Sequence, residues 1–180
     1  MKYTLIALLL LCISLPVYAG TEKESGYDRV MRTGTLRCGY ILLAPEMSKD
    51  PNTGKLSGIS YDVAEELGRR LHLKIDWAEE VNFGTMVQGL KSNHYDAVCF
   101  SLYRYSQAIP YADYSNPLFY SATGLFVRQD DHRFDKDIAR VNDPSVTIST
   151  IDGEMSQFIA AEDFPKAKAL SMPQSTDLSQ

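Results

Sequence analysis

The apolar and polar positions divide the chain into a short apolar run and a longer alternating part. Residues 5–15 are almost unbroken apolar, and Pro16 is followed by the small-residue pattern Val17-Tyr18-Ala19. This arrangement predicts a signal peptide over residues 1–19, cleaved after Ala19. A transmembrane anchor is the alternative, but the run is well short of the roughly 20 residues that span a bilayer.

Beyond the apolar run, strand-like and helix-like patterns follow one another. The pattern predicts strands over 35–40, 73–77, 95–100 and 145–149, and helices that carry Val63, Ala64, Leu67 and Leu71, then Met86, Val87 and Leu90, and last cover residues 154–162. We expect Ser60 or Asp62 to cap the first helix. Strands separated by helices of this length indicate a parallel sheet in an α/β fold.

The composition changes sharply after residue 128. Residues 118–128 are apolar and aromatic, whereas residues 129–137 are mostly charged. We place a domain boundary there, with a first unit over 20–128 and a second over 129–180. The second unit is too short for an ordinary independent core, and the pattern predicts no packed element after residue 162.

Charge and residue chemistry exclude several classes of protein. The chain carries 18 Lys and Arg against 23 Asp and Glu, a net charge of −5, with no basic stripe of the kind that binds nucleic acid. No nucleophile–base arrangement or metal-ligand spacing occurs, and we expect no cofactor and no metal. Cys38 and Cys99 each lie in a strand-like run, where a disulfide and two buried thiols are both consistent with the pattern.

An ordered set of short motifs resembles a known family. The set comprises Gly34–Tyr40, Thr53–Gly58, Asp62–Ala64, Gly89–Ser92, Tyr95–Val98 and Tyr114–Leu118. In this order and spacing, over about residues 26–128, these motifs resemble the bacterial extracellular solute-binding proteins of family 3. Residues 146–153 extend the resemblance into the second unit.

The resemblance implies a periplasmic binding protein type II fold, with two α/β lobes that close over a ligand. In this sequence the second lobe, and the return of the chain to the first lobe, are expected to be incomplete. The implied function is the capture of a small polar solute for an ABC permease in the inner membrane. We expect a periplasmic monomer that binds no nucleic acid.

Two departures from the family bear on the ligand. Amino-acid binders of this family hold the α-carboxylate with an arginine, whose position falls on Ala108 here, and Arg104 lies four residues earlier. The family's Gly-Thr-Thr in lobe two is replaced by Gly153-Glu154-Met155, which puts an acid where a donor is expected. The resemblance with these departures predicts a ligand that is not a standard α-amino acid.

The remaining candidate residues are aromatic or hydroxyl-bearing. Ile59 replaces the family's stacking aromatic, and Ser101 matches a strand-end hydroxyl that meets ligand in relatives. With Glu154, nearby aromatic rings would suit a cationic or neutral solute. Alternatively, Tyr40 and Phe100 pack the core, and Glu154 only stabilises a helix start. The predicted ligand-binding set is Tyr40, Ile59, Tyr61, Ser101, Tyr103, Ala108, Gly153 and Glu154, with Phe100 and Tyr105 nearby.

Two other functions remain open on the same scaffold. Periplasmic dehydratases that act on prephenate-like substrates share this fold, but they need an acid–base residue and a grip on substrate carboxylates. The three histidines, His72, His94 and His132, are scattered along the chain. A ligand-sensing input domain is the other alternative. We expect a binding protein and no catalytic residues.

Overall fold

The computed structural model describes residues 24–104 and 109–173. The predicted signal peptide, 1–19, lies outside these residues. The helices are α1 (Gly26–Thr33), α2 (Ile59–Leu71), α3 (Met86–Lys91), a 3-10 helix (Ile138–Val141) and α4 (Met155–Asp163); the strands are β1 (Thr35–Tyr40), β2 (Ser48–Lys49), β3 (Leu56–Ser57), β4 (Lys74–Glu80), β5 (Ala97–Val98), β6 (Thr147–Ile151) and β7 (Lys168–Met172).

The first sheet has the order β4–β1–β5, and both pairings are parallel. Thr35 lies opposite Lys74, and a bulge between Cys38 and Gly39 shifts the register further along. The connections are helical, because parallel neighbours need a long crossover. The predicted α/β class and parallel sheet are confirmed. We refer to residues 24–104 as the first region.

Helix α2 turns a different face to the sheet from the one its apolar residues predict. Its buried positions are Ser60, Ala64 and Gly68, whereas Val63, Leu67 and Leu71 are exposed. A Cβ on Gly68 would lie 2.8 Å from both the Ile75 side chain and the Leu73 carbonyl. The helix packs so closely that small residues form its inner face. Of the apolar residues that the pattern placed on one face, only Ala64 is buried.

The start of α2 also differs from the prediction. Gly58, with φ 125°, occupies the N-cap position and no side chain caps the helix. The predicted caps, Ser60 and Asp62, lie inside the helix instead. The Ser60 hydroxyl is engaged elsewhere, on the carboxylate of Glu46.

A buried tyrosine holds α3 against β1. Tyr95 is 1% exposed, and its phenol donates to the Met86 carbonyl at 2.5 Å. A Cβ on Gly39 would lie 2.8 Å from the Tyr95 ring, and one on Gly89 would overlap it. Burial, with a smaller contribution from the charge of Glu79, raises the pKa of the Tyr95 phenol to about 12.

An ionic cluster closes the amino edge of the same sheet. The side chain of Asp96 is 7% exposed and pairs with the guanidinium groups of both Arg29 and Arg37. It also accepts the Arg37 backbone N–H at 2.9 Å. Burial and the neighbouring Arg37 lower the pKa of Arg29. The cluster fastens α1 and β1 to the start of β5.

The second half contains a strand–helix–strand crossover, the β6–α4–β7 unit. β6 and β7 pair in parallel from Thr147 opposite Lys168 to Ile151 opposite Met172. The prediction of no packed element after residue 162 is therefore wrong. Apolar and polar residues do not alternate strictly along β7, and its first three residues are exposed. The sequence pattern therefore indicates a strand there only weakly. Residues 109–137 contain no helix or strand in the structure, and the domain boundary after 128 stays a prediction.

Candidate ligand-binding site

The candidate site lies at the carboxyl edge of the β4–β1–β5 sheet. The loop after β1, the start of α2 and the segment after β5 converge there, and ligands of open α/β sheets bind beyond this edge. The structure brings Ser101 to Ser60: their hydroxyl oxygens are 3.3 Å apart, and the Ser101 N–H donates to Ser60 Oγ at 3.2 Å. The predicted strand-end hydroxyl thus belongs to a larger polar cluster.

Glu46 completes this cluster, although no sequence pattern singled it out. The Ser60 hydroxyl donates to Glu46 Oε2 at 2.9 Å. The backbone fixes the approach, because the N–H groups of Ile59 and Ser60 donate to the carbonyls of Pro45 and Glu46 at 3.3 and 2.9 Å. We call Glu46, Ser60 and Ser101 the acidic hydroxyl cluster. Glu46 stands in a loop, where no periodic pattern marks a residue as part of a site.

A disulfide settles the state of the two cysteines. Cys38 and Cys99 are bonded, with their Cα atoms 5.4 Å apart, and the Cys99 N–H donates to the Gly39 carbonyl at 2.9 Å. The sequence was consistent with a disulfide or with two buried thiols, and the structure has the disulfide. The link lies two residues before Ser101, so it holds the strand end that carries this hydroxyl.

The predicted aromatic residues form two separate groups. The ring of Tyr40 meets the Trp77 ring edge to face, with centroids 5.9 Å apart, and the ring of Tyr61 stacks on Trp77 at 5.3 Å. Phe100 meets Phe83 edge to face at 6.0 Å. Tyr40 is buried, which favours its interpretation as a core residue. The Trp77 indole donates to Glu65 and was not foreseen as the centre of a ring group.

The remaining candidates of the first half are two exposed residues, one arginine and two residues outside the described ranges. Ile59 and Tyr103 are exposed. Arg104, the alternative carboxylate partner, holds its guanidinium 5.6 Å above the Tyr114 ring. Ala108 and Tyr105 lie outside the described residues, and their predicted roles stay predictions.

The β6–α4–β7 unit contributes the turn at Asp152-Gly153. Gly153 has φ 73°, and a Cβ there would lie 2.9 Å from the Gly84 nitrogen and 3.0 Å from the Phe83 carbonyl carbon. The turn therefore rests directly on the loop after β4. We call the space between this turn and the carboxyl edge of the first sheet the candidate cleft.

Glu154 is the N-cap of α4. Its carboxylate accepts the Ser156 N–H at 2.7 Å, and the Gly153 N–H donates to Gln157 Oε1 at 2.9 Å. A carboxylate at this position is favoured by the helix dipole. The capping role that the sequence left as an alternative is present, and these amides already have acceptors.

A polar network positions this helix start. Ser171 of β7 donates to Asp152, and Gln157 Nε2 donates to Ser171 Oγ at 3.1 Å. Thr150 also donates to Ser171 at 3.3 Å. Because β7 was not predicted, this network could not be found from the sequence.

Other features lie away from the cleft. A cavity of about 360 Å³ is lined by residues of the segment 133–146, including Arg133, Arg140 and Asp143, and by none of the predicted site residues. Within the two described ranges, no three His, Cys, Asp or Glu side chains are grouped to hold a metal ion. No helix in those ranges is long and apolar enough to cross a membrane.

Comparison with known proteins finds one family. The bacterial extracellular solute-binding proteins, family 3, match residues 36–173 of this chain. A search of curated proteins found no match.

Solved structures share the fold. An ancestral amino-acid-binding protein, described as a precursor of cyclohexadienyl dehydratase, is 25% identical, with a TM-score of 0.77 over 86% of this chain and 68% of that chain. An amino acid ABC transporter substrate-binding protein from Streptococcus pneumoniae, bound to L-arginine, is 18% identical, with a TM-score of 0.72 over 87% and 65%. A binding component from Wolinella succinogenes, complexed with lysine, is 19% identical, with a TM-score of 0.71 over 80% and 61%. The chain therefore spans about two thirds of the length of these structures.

Proposed function

We propose that this chain, which belongs to the bacterial extracellular solute-binding proteins of family 3, captures a small cationic or neutral solute between two lobes. The first lobe contains the acidic hydroxyl cluster, and the second contains the β6–α4–β7 unit. The solute is then delivered to an ABC permease of the inner membrane. The protein acts as a periplasmic monomer after removal of residues 1–19.

The observation that carries the ligand class is the start of α4. Helix N-termini bind anions because their N–H groups lack acceptors and the dipole is positive there. In this chain Glu154 and Gln157 already accept from Ser156 and Gly153. A ligand carboxylate would have to displace one of them and would lie beside a like charge, which is unfavourable.

The first lobe supports the same ligand class. The amides of Ile59 and Ser60, at the start of α2, donate to carbonyls of the preceding loop. The family's arginine position holds Ala108, and Arg104 rests on the Tyr114 ring. A standard α-amino acid would therefore find few donors for its carboxylate on either side.

The first test is a thermal-shift screen of the chain, followed by calorimetry. We expect amines without a carboxylate, or neutral polar solutes, to raise the melting temperature, since a ligand at 100 times its Kd adds about 2.7 kcal/mol of stability. The Glu154→Gln variant keeps the cap geometry and removes the charge, so α-amino acids should bind it better than wild type. If glutamate or another standard amino acid gave the largest shift for wild type, the proposed ligand class would be wrong.

An enzyme on this scaffold is the second candidate, because one similar structure is described as a precursor of cyclohexadienyl dehydratase. Such an enzyme needs a free general acid or base near the substrate. We expect no product when the chain is incubated with a prephenate-like dicarboxylate and the mixture is followed by ultraviolet absorbance. Turnover that disappears in Glu46→Gln or Glu154→Gln would establish the enzyme instead.

A further inference from the structure

We propose that Glu46 is the acid that recognises the ligand, and that it pairs with a primary ammonium or guanidinium group. The inference rests on the proposed function and names the charge and the donor chemistry of its solute. Glu46 was not among the residues expected from the sequence, and it lies where the loop after β1 meets the start of α2.

The backbone holds this loop in one place. Met47, the next residue, is 1% exposed, and Leu43 and Met47 exchange both backbone hydrogen bonds at 3.0 Å. Gly58 lies against the loop so closely that a Cβ there would be 2.6 Å from the Glu46 carbonyl oxygen. The carboxylate therefore extends from a fixed point on the carboxyl edge of the sheet, as a preorganised recognition group requires.

The hydrogen bonds of the acidic hydroxyl cluster leave only acceptors for a ligand. Ser60 has a single hydroxyl proton, and this proton is donated to Glu46 Oε2. The oxygen of Ser60 then accepts the Ser101 N–H and, at 3.3 Å, the Ser101 hydroxyl. What remains is carboxylate and hydroxyl lone pairs. An ammonium with three donors or a guanidinium with five is their chemical complement.

The unpaired charge of Glu46 among the described residues also favours a cationic ligand. Glu46 is partly buried, yet none of the ion pairs among the described residues includes it, unlike Glu80 with Lys49 or Glu66 with Arg69. A partly desolvated carboxylate is stabilised by an incoming cation. Glu154, the other acid of the cleft, differs because it is bonded to the backbone of its own helix.

The experiment uses putrescine and agmatine as cationic probes and 1,4-butanediol as their neutral counterpart. Binding to the full chain is measured by calorimetry and thermal shift for wild type and Glu46→Gln. Glutamine keeps the size of the side chain and an oxygen that accepts from Ser60. We expect the affinity for the cations to fall roughly 10- to 100-fold, the value of a hydrogen bond to a charged group, with no affinity of either protein for the diol.

Matched variants separate the roles of the acids. Glu66→Gln makes the same charge change on the outer surface of α2, where Arg69 and Arg70 hold the carboxylate, and should bind the cations as wild type does. Glu154→Gln should weaken the cations less than Glu46→Gln does. Ser101→Ala keeps the carboxylate and should produce a smaller loss, so it tests the cluster if Glu46→Gln folds poorly by circular dichroism.

The outcomes distinguish the two proposals. Equal affinity of wild type and Glu46→Gln for the cations, binding of the diol alone, or no binding of either cation overturns the role of Glu46. The ligand class of the proposed function survives these results as long as carboxylate-free solutes give the largest shifts. A larger shift with a standard amino acid overturns the ligand class of the proposed function, whereas the role of Glu46 is then decided by whether Glu46→Gln weakens the binding of that amino acid.

Discussion

The two sides of the candidate cleft hold their polar groups by different means. In the first region, Ser101 follows a disulfide, and the sheet beneath it is fixed by the Asp96 ion pairs and the buried Tyr95. In the β6–α4–β7 unit, Glu154 is positioned by hydrogen bonds among half-buried polar side chains. We call the first side the platform, because a disulfide and ion pairs hold it, whereas side-chain hydrogen bonds position Glu154 on the second side.

The largest expected effect comes from removing an anchor of the first region. Asp96→Ala leaves the partly buried Arg29 and Arg37 without their shared acid, and breaking such a pair costs about 3–5 kcal/mol. Because both arginines retain some exposure, we expect the lower end of that range in urea unfolding.

Asp113→Ala is the matched control, because Asp113 is exposed and its loss should change stability by less than about 0.5 kcal/mol. Equal midpoints for the two variants would show that the Asp96 cluster is not an anchor of the platform.

The next effect is a loss of stability in alkali. The folded protein keeps the Tyr95 proton up to a pKa of about 12, while the unfolded chain releases it near 10. Above pH 10 the unfolded state therefore binds fewer protons, and stability falls as the pH rises to 12, by about 2–3 kcal/mol.

Tyr95→Phe removes this titration, at the expense of the bond to Met86. Its stability should fall less between pH 10 and 12 than that of wild type, as measured by urea midpoints at each pH. An equal loss of stability between pH 10 and 12 in both proteins would contradict the raised pKa of Tyr95.

The smallest effect tests the contact between the two sides. Gly153→Ala introduces a side chain at φ 73° and against Phe83 and Gly84. Gly54→Ala introduces the same strain at φ 70° with no atom within 4 Å. Each left-handed alanine costs about 1–2 kcal/mol, so the difference between the variants isolates the contact.

We expect Gly153→Ala to be the less stable of the pair by about 1–2 kcal/mol, since overpacking adds to the strain. Thermal unfolding of both variants measures this difference. Identical melting temperatures would mean that the turn moves away from Phe83 and Gly84 at no cost.

Much of the first region follows from its sequence pattern. The strand over 35–40 and the parallel arrangement are confirmed, because alternation and spacing report local geometry. The buried face of α2 could not be predicted in the same way. Apolar periodicity identifies an apolar face, but it does not tell how closely the helix packs on the sheet. Gly68 decides that distance, and its contacts with Leu73 and Ile75 exist only after folding.

The candidate site was predicted less completely than the fold. Ser101 was found because it matches a family position, whereas Glu46 stands in a loop whose path no periodicity predicts. The pairing of Cys38 with Cys99 requires β1 and β5 to be neighbours, which their spacing alone does not establish. The charge of Glu154 and its place at a helix start could be read from the sequence, whereas its acceptance of the Ser156 N–H follows only from the fold.

The bond between Cys38 and Cys99 also has a consequence for the order of events in biogenesis. It closes a loop across 61 positions of the chain, and such bonds form and persist outside the reducing cytosol. A copy made and kept in the cytosol would present the same residues on a strand end held by hydrogen bonds alone. For the proposed periplasmic protein, oxidation after export would therefore be the step that finishes the platform, and cytosolic preparations would need it before any ligand is offered.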